Sequence, residues 1–380
     1  MKYVAFYDIK EFLYENRSIA LCGANVSEYM IDVFSELVEL QVISPSRTRN
    51  RKGIYRGRKY KLNDNATLIQ PFTFGVRTPV GRFLAISWNI VWLFFYLFFH
   101  ISKNETVVVY HSLSIMSPIR MVKKLRKINL VLEIREFYSD ARQEYEEFGQ
   151  DMSKLHKKEM KYFQIADKYI FPTELLNKEV NICSKPYVVA SGIYKSEKKL
   201  AESKWNDGKI HVVYAGTLRK SKGVYDAIEV AKKLPENFFV HILGGGDKDR
   251  MAEVDEYIKR ISKLSKAEVR YEGQLRGNEF KAFLQKCHIG LSPQSKDATF
   301  NETSFPSKIF TYLANGLEVV SVSITAITES PVGEYLHYYD GGIESLAETI
   351  QSIEIKQNEN SILNELDSNL RSQVKNILFS

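Results

Sequence analysis

Short, unbroken apolar runs constrain the fold of this chain more than any other feature. Thr106–Tyr110 reads TVVVY, Leu130–Ile134 reads LVLEI and Ile210–Ala215 reads IHVVYA, with further runs at Phe239–Leu243, Val269–Glu272, Ile289–Ser292 and Val319–Val322. Strands without polar alternation are typical of parallel sheets, which are covered on both faces. Parallel neighbours need a crossover, usually a helix. The intervening segments fit. Val26–Val38 places Tyr29, Met30, Val33, Phe34 and Leu37 at helical spacing, and further helices are predicted from near Gly223, Asp247, Asn278 and Pro306. Runs at 2–7, 40–43, 168–171 and 187–190, with helices after Ser117-Pro118 and over Asp151–Ala166, give the first half the same alternation. Ser18–Asn25 and Arg47–Lys61 read as loops. The predicted class is α/β with doubly wound sheets. At 380 residues the chain exceeds one ordinary core, and the polar, aperiodic Glu197–Gly208 is the predicted linker between domains at 1–200 and 201–358.

Hydrophobic residues make up 44% of the chain and charged residues 26%, a balance that excludes a disordered protein. Cys22, Cys183 and Cys287 lie far apart without metal-ligand spacing, so a reducing compartment, no disulfides and no metal site are expected. The first residues, MKYVAFYDIKEF, lack the pattern of a secretory signal. The net charge of +7 is concentrated: Arg47, Arg49, Arg51, Lys52, Arg56, Arg58, Lys59 and Lys61 follow one another with no acidic residue between them. Such a run suits phosphate-rich partners, or is a solvated loop. A single basic loop with no recognition motif argues against nucleic acid. Phe83–Ile101, FLAISWNIVWLFFYLFFHI, has the length of a spanning helix. Ser87, Asn89 and His100 interrupt it, and its Trp and Tyr residues are spread along it. Spanning would also split one α/β domain across a membrane. A buried or interfacial helix is expected instead. With the basic loop it predicts reversible attachment to an anionic membrane surface through Arg47, Arg49, Arg51, Lys52, Arg56, Arg58, Trp88, Trp92 and Phe95.

Chemistry concentrates in the second half. Val212–Gly223, VVYAGTLRKSKG, runs from a strand into a glycine turn, a basic segment and a helix start. In open α/β sheets ligands bind at the carboxyl ends of strands, and helix N-termini favour anions. Arg219, Lys220 and Lys222 add full charges there, which outlines a diphosphate site, though a Lys-rich surface turn reads the same in isolation. Asn301–Gly316, NETSFPSKIFTYLANG, is a polar loop followed by a helix with Pro306 in its first turn, an apolar face of Ile309, Phe310 and Leu313, and Gly316 as its stop. Between them His241–Asp247, HILGGGD, has three glycines that let backbone approach a ligand.

Four stretches, YAGTLRKSKG, HILGGGD, YEGQLRGNEFKAFLQKCHIGLSP and SFPSKIFTYLANGLEVVS, resemble in order and spacing the C-terminal half of the family 4 glycosyltransferases. VVVYHS and LVLEIREFYSD resemble, more loosely, the strands that in a bacterial polysaccharide branch of the family end in an active-site His and in an EIRD-type motif. The resemblance implies a GT-B fold, two Rossmann-like domains facing across a cleft, with residues 359–380 a last helix crossing back to the first domain. It implies retaining transfer from a nucleoside-diphosphate sugar, a UDP-sugar first, with no metal or covalent cofactor. By this resemblance His111, Lys222 and Glu136 are the catalytic candidates. Donor contacts fall to Gly216, Thr217, Arg219, Lys220, Gly244, Gly245, Glu302, Thr303, Ser304, Phe305, Ser307 and Thr311, and acceptor contacts to Gly23 and Asn25. The chain departs from the pattern twice. Thr217 stands where the family carries Arg, and Thr303 and Thr311 stand where it carries two Glu residues.

The reading is an enzyme of surface-polysaccharide assembly such as a capsule, acting on a lipid-linked or other glycan acceptor, cytoplasmic and peripheral at the inner face of the plasma membrane. The alternative is a non-catalytic GT-B subunit that binds glycan or polypeptide and supports a partner glycosyltransferase, which the missing Glu residues favour. A GT-B epimerase would need a carboxylate–His pairing that the sequence does not display.

Overall fold

The computed structural model describes residues 1–9, 17, 19–45, 48, 53–75, 78–135, 152–298, 301, 304–355 and 361–379. The chain divides into two compact units, Met1–Ile193 with Leu370–Ser380, and Tyr194–Asn369.

The strands of the first unit are β1 (Lys2–Val4), β2 (Leu40–Ile43), β3 (Ile54–Tyr55), β4 (Arg58–Lys61), β5 (Ala66–Gln70), β6 (Thr73–Phe74), β7 (Thr106–Tyr110), β8 (Asn129–Glu133), β9 (Lys168–Phe171) and β10 (Tyr187–Val189). Its helices are α1 (Leu21–Leu37), α2 (Pro79–His100), α3 (Leu113–Arg126), α4 (Met152–Phe163) and α5 (Glu174–Val180). Eight strands form one sheet in the order β10-β9-β8-β7-β1-β2-β5-β4. All its pairings are parallel except β4 on β5. The order reverses at β1, between β2 and β7, with Val4 opposite both Ile43 and Val109. Val4, Val107, Val109, Leu130, Leu132 and Phe171 are fully buried in the core, as the apolar runs require.

Three local expectations change. Ser18–Asn25 is not all loop: α1 begins at Leu21 and carries Gly23 and Asn25 within it. Its buried side chains Ala24, Tyr29, Met30, Val33 and Phe34 stabilise a start that has no side-chain cap. The basic stretch is also partly strand. Arg58–Lys61 forms β4 at the sheet edge, where charged side chains reach solvent and discourage further pairing. Ala66–Gln70, buried at alternate residues, is a strand that the sequence pattern did not single out.

Helix α2 is long and apolar enough to cross a membrane, with a mean hydropathy of 1.7. Yet it lies between β6 and β7, and the strands of the large sheet on either side of it in the chain, β5 and β7, neighbour β2 and β1 in that one sheet. Its stripe Ala85, Asn89, Leu93 and Leu97, four residues apart, is buried, and Leu93 and Leu97 join the core. Thr78 caps its start through Oγ1, accepting from the Gly81 N–H.

The second unit contains β11 (Ile210–Ala215), β12 (Phe238–Leu243), β13 (Glu268–Gly273), β14 (Ile289–Ser292), β15 (Glu318–Val322) and β16 (His337–Tyr339). The sheet order is β13-β12-β11-β14-β15-β16, all parallel. The order reverses at β11, between β12 and β14. Its helices are α6 (Val224–Glu229), α7 (Lys248–Ser262), α8 (Gly277–Lys286), α9 (Lys308–Ala314), α10 (Thr325–Thr328) and α11 (Ile343–Ser352), and α12 (Ser361–Phe379) runs on from it. Asp247 caps α7, accepting from the Arg250 N–H at 2.8 Å. The last turns of α12 belong to the first unit. Arg371 pairs there with Asp32 and Glu36 of α1 at 3.1 and 2.6 Å, and Lys168 donates to the Ile377 carbonyl.

Candidate functional site

In the second unit, β11 and β14 stay paired only through Val212–Ile289 and Val213–Gly290. Beyond that register the strands part, the place where open sheets take ligands. The backbone there is drawn together by glycines. A Cβ on Gly244 would lie 2.0 Å from the Gly216 carbonyl oxygen, so the turns after β11 and β12 touch only because Gly244 lacks a side chain. Gly223 has φ +81°, and a Cβ there would lie 1.8 Å from the Pro293 oxygen. The Tyr214 hydroxyl donates to the Thr217 carbonyl at 2.8 Å and fixes the turn.

The parting strands are bridged by a side chain. Tyr312 of α9 reaches between them: its hydroxyl accepts from the Ala215 N–H at 2.8 Å and donates to the Leu291 carbonyl at 3.1 Å. Its ring lies on the bare backbone of Gly290, where a Cβ would come within 2.3 Å of it. One helical turn earlier, Lys308 brings its ammonium to the same turn, 3.4 Å from the Lys222 carbonyl oxygen and 4.1 Å from the Tyr214 ring centroid. Burial, and then the nearby Lys222 charge, lower its pKa to about 7. Burial raises the Tyr312 and Tyr214 pKa values, so both hydroxyls stay neutral.

Gly216, Lys222 and Gly244 thus share one turn cluster, and α9 adds Lys308, which the sequence reading missed. Its signal was the lysine directly after Pro306-Ser307. Thr217, Arg219 and Lys220 are exposed on the turn. Gly245 faces Gln274. Ser304 is partly buried, the Phe305 ring packs on Phe310 with centroids 5.0 Å apart, and Ser307 accepts through its carbonyl from Thr311. Glu302 and Thr303 lie outside the described residues. Helices α6 and α9 have six and seven residues, so little macrodipole builds up, and positive charge at the turn rests on lysine side chains.

In the first unit, His111 follows β7 at the point where that sheet's order reverses. It is buried, and its Nε2 lies 2.5 Å from Glu159 Oε1 of α4. An ionised carboxylate only accepts, so a ring proton sits on Nε2, and in the neutral ring Nδ1 would be the acceptor. Nδ1 is buried with no hydrogen-bond partner among the described residues. The Phe163 ring edge holds the imidazole, 4.6 Å between centroids. Beside it Glu133, fully buried, accepts from the Tyr3 hydroxyl at 2.7 Å and from Arg135 Nε at 2.8 Å. Glu136 lies outside the described residues. Gly23 faces the Tyr110 hydroxyl, and Asn25 is exposed on α1.

Of the residues expected at a membrane, Arg47, Arg49, Arg51 and Lys52 lie outside the described residues. Arg56 is exposed. Arg58 is partly buried and its charge acts on Asp8. The two tryptophans contact the protein. Trp88 donates Nε1–H to the Phe72 carbonyl at 2.9 Å and lies against the Phe72 ring, and Trp92 stacks on Tyr96. Phe83, Leu84, Val91, Phe95 and Phe99 are the large exposed apolar residues of α2 beyond its first turn, with Met121 and Leu125 exposed on α3.

Two sheets with reversing strand order, in two units, define the class, and solved structures agree. The chain has the GT-B fold. Over 99% of its length it is similar to an α,α-trehalose 6-phosphate synthase from Burkholderia multivorans, with a TM-score of 0.65, 10% identity and 94% of that chain covered. A sucrose-phosphate synthase from Thermosynechococcus elongatus gives 0.60 at 13% identity, covering 100% of this chain and 95% of that one. A lipopolysaccharide outer core galactosyltransferase, WaaB, gives 0.61 at 12%, covering 100% and 99%. Within that fold, residues 195–373 match the family model described as Glycosyl transferases group 1. No curated protein sequence matches the chain.

Proposed function

We propose that this chain is a retaining glycosyltransferase of family 4 type. It moves a sugar from a nucleoside-diphosphate donor, a UDP-sugar first, to a lipid-linked glycan acceptor in cell-surface polysaccharide synthesis. One observation carries the reading: at the parting of β11 and β14, inside the segment that matches the glycosyltransferase model, Lys222 and Lys308 meet backbone left bare by Gly216 and Gly244. As the bond from sugar to diphosphate breaks, charge collects on the phosphate oxygens, and fixed cations there lower the barrier. In the first unit the His111 Nδ1 lone pair would accept a hydrogen bond from a sugar hydroxyl. The test is donor hydrolysis and transfer over a panel of nucleotide sugars, with release of UDP from one of them expected.

A second reading, a non-catalytic GT-B subunit, draws support from Thr311. Its hydroxyl donates back to the Ser307 carbonyl at 3.3 Å, and it offers no carboxylate to a ribose. No turnover with any donor, together with copurification of an active transferase, would favour that reading.

The exposed rings of α2 support attachment at the inner face of the plasma membrane. Phe95 and Phe99 are 50% and 69% exposed, and the neighbouring α3 presents Arg120 and Lys124 beside Met121 and Leu125. Inserted rings with cations near anionic head groups give reversible binding. Flotation with anionic but not neutral liposomes, weakened by salt, is the expected result. Equal flotation with both lipids at both salt concentrations would remove the electrostatic part.

A further inference from the structure

Lys308 is a buried basic residue for which no described carboxylate stands at ion-pair distance. Its ammonium rests over the Tyr214 ring and 3.4 Å from the Lys222 carbonyl oxygen, and a Cβ on Gly216 would lie 3.4 Å from it. Tyr312, four residues on, ties the same helix to the backbone of β11 and β14, so the lysine stem is anchored where it is. An ammonium drawn from water without a counter-charge is unfavourable. At the carboxyl end of the strand where the sheet order reverses, an arriving anion relieves that disadvantage.

We propose that Lys308 is a proton-coupled anion receptor, which meets the donor's diphosphate and takes up a proton from solvent as the diphosphate binds. The inference rests on the donor reading above and adds a linkage between donor binding and pH. The amine gains one proton to become the ammonium, and no bond of the diphosphate is made or broken. The groups facing Lys308 are Lys222 on the turn and Tyr214 on β11, with Tyr312 one turn along its own helix, and both tyrosines stay neutral. Burial and Lys222 bring the lysine's pKa in the free protein to about 7. A neighbouring diphosphate favours the charged form, so uptake is largest above pH 7 and below the raised pKa of the complex. The sign for folding is opposite. The folded-state pKa lies below the unfolded one, so the charge destabilises the fold below about pH 7, and the penalty fades as pH rises toward the unfolded value.

The experiment is calorimetric titration of UDP into wild type, Lys308→Met and Lys308→Arg at pH 8, in two buffers of different ionisation heat, with melting curves of each free protein at pH 7. Wild type is expected to take up a measurable fraction of a proton per UDP, with affinity falling as pH rises from 7 to 9. Lys308→Arg should bind without that uptake, because a guanidinium stays charged. Lys308→Met should bind at least about tenfold more weakly, the scale of a lost charge-assisted hydrogen bond, while melting no lower than wild type. Unchanged UDP affinity in Lys308→Met, or equal proton uptake in all three proteins, would overturn the inference and leave the donor reading standing. Lost binding in both variants with a lowered melting temperature would make the lysine a structural residue and overturn it too. If wild type binds neither UDP nor pyrophosphate, the donor reading falls and this inference falls with it.

Discussion

The two sheets reverse their strand order in the same way, but the groups at the two reversals differ. In the first unit Glu133 is matched from within the protein by Tyr3 and Arg135, and His111 by Glu159. In the second unit Lys308 has a ring, a carbonyl and a second lysine around it, and no described carboxylate. A site whose charges are already paired has hydrogen bonds to offer, which suits a neutral sugar. A buried lysine with no described carboxylate at ion-pair distance suits an anion. On the proposed function, the same topology would serve two kinds of recognition, with side chains at a few strand ends deciding which.

The largest effect that would test this contrast is at Lys222. Lys222→Ala is expected to lower turnover by about 10²-fold, the scale of one lost oxyanion donor, with little change in melting temperature. A variant that turns over like wild type would place the diphosphate elsewhere and remove the contrast. Glu159→Ala sharpens the other side. It leaves a buried imidazole N–H without an acceptor, which costs about 1–3 kcal/mol. The readout is a lowered urea midpoint at constant slope, and an unchanged midpoint would mean that the first unit does not depend on its internal pairing. Gly23→Ala is the smallest. A Cβ there would meet the Tyr110 hydroxyl at 3.6 Å, an ordinary contact, so the change in α1 should stabilise by about 0.5–1 kcal/mol. A slower enzyme despite that gain would show an acceptor approaching the backbone at Gly23.

The fold was legible where apolar runs were long enough to define buried strands. The second unit's sheet follows from its five predicted runs, to which β16 adds an edge. Gly216, Gly223 and the HILGGGD glycines stood out as turn residues, and at Gly223 and Gly244 a Cβ would collide with backbone. Pairings between side chains distant in sequence were not legible. Glu159 lies 48 residues from His111, in a helix that reads as a charged amphipathic segment. Lys308 follows a proline at a helix start and looks like a surface charge until Tyr312, on the same face, is seen inserted between two strands. The aromatic helix misled in detail. Composition cannot tell that Trp88 bonds to Phe72 while Phe95 faces outward, because the face is set by the Ala85–Asn89–Leu93–Leu97 stripe.

The Tyr312–Gly290 contact also limits how this sequence can drift. Any side chain at 290 collides with the ring, since even a Cβ would lie 2.3 Å from it, and loss of the hydroxyl at 312 strands the Ala215 N–H and the Leu291 carbonyl inside the core. Neither position can change alone without a defect, so divergence here requires two coordinated substitutions. Among relatives the two positions should therefore be inherited as a couple, with a bulkier residue at 290 appearing only where 312 has become small.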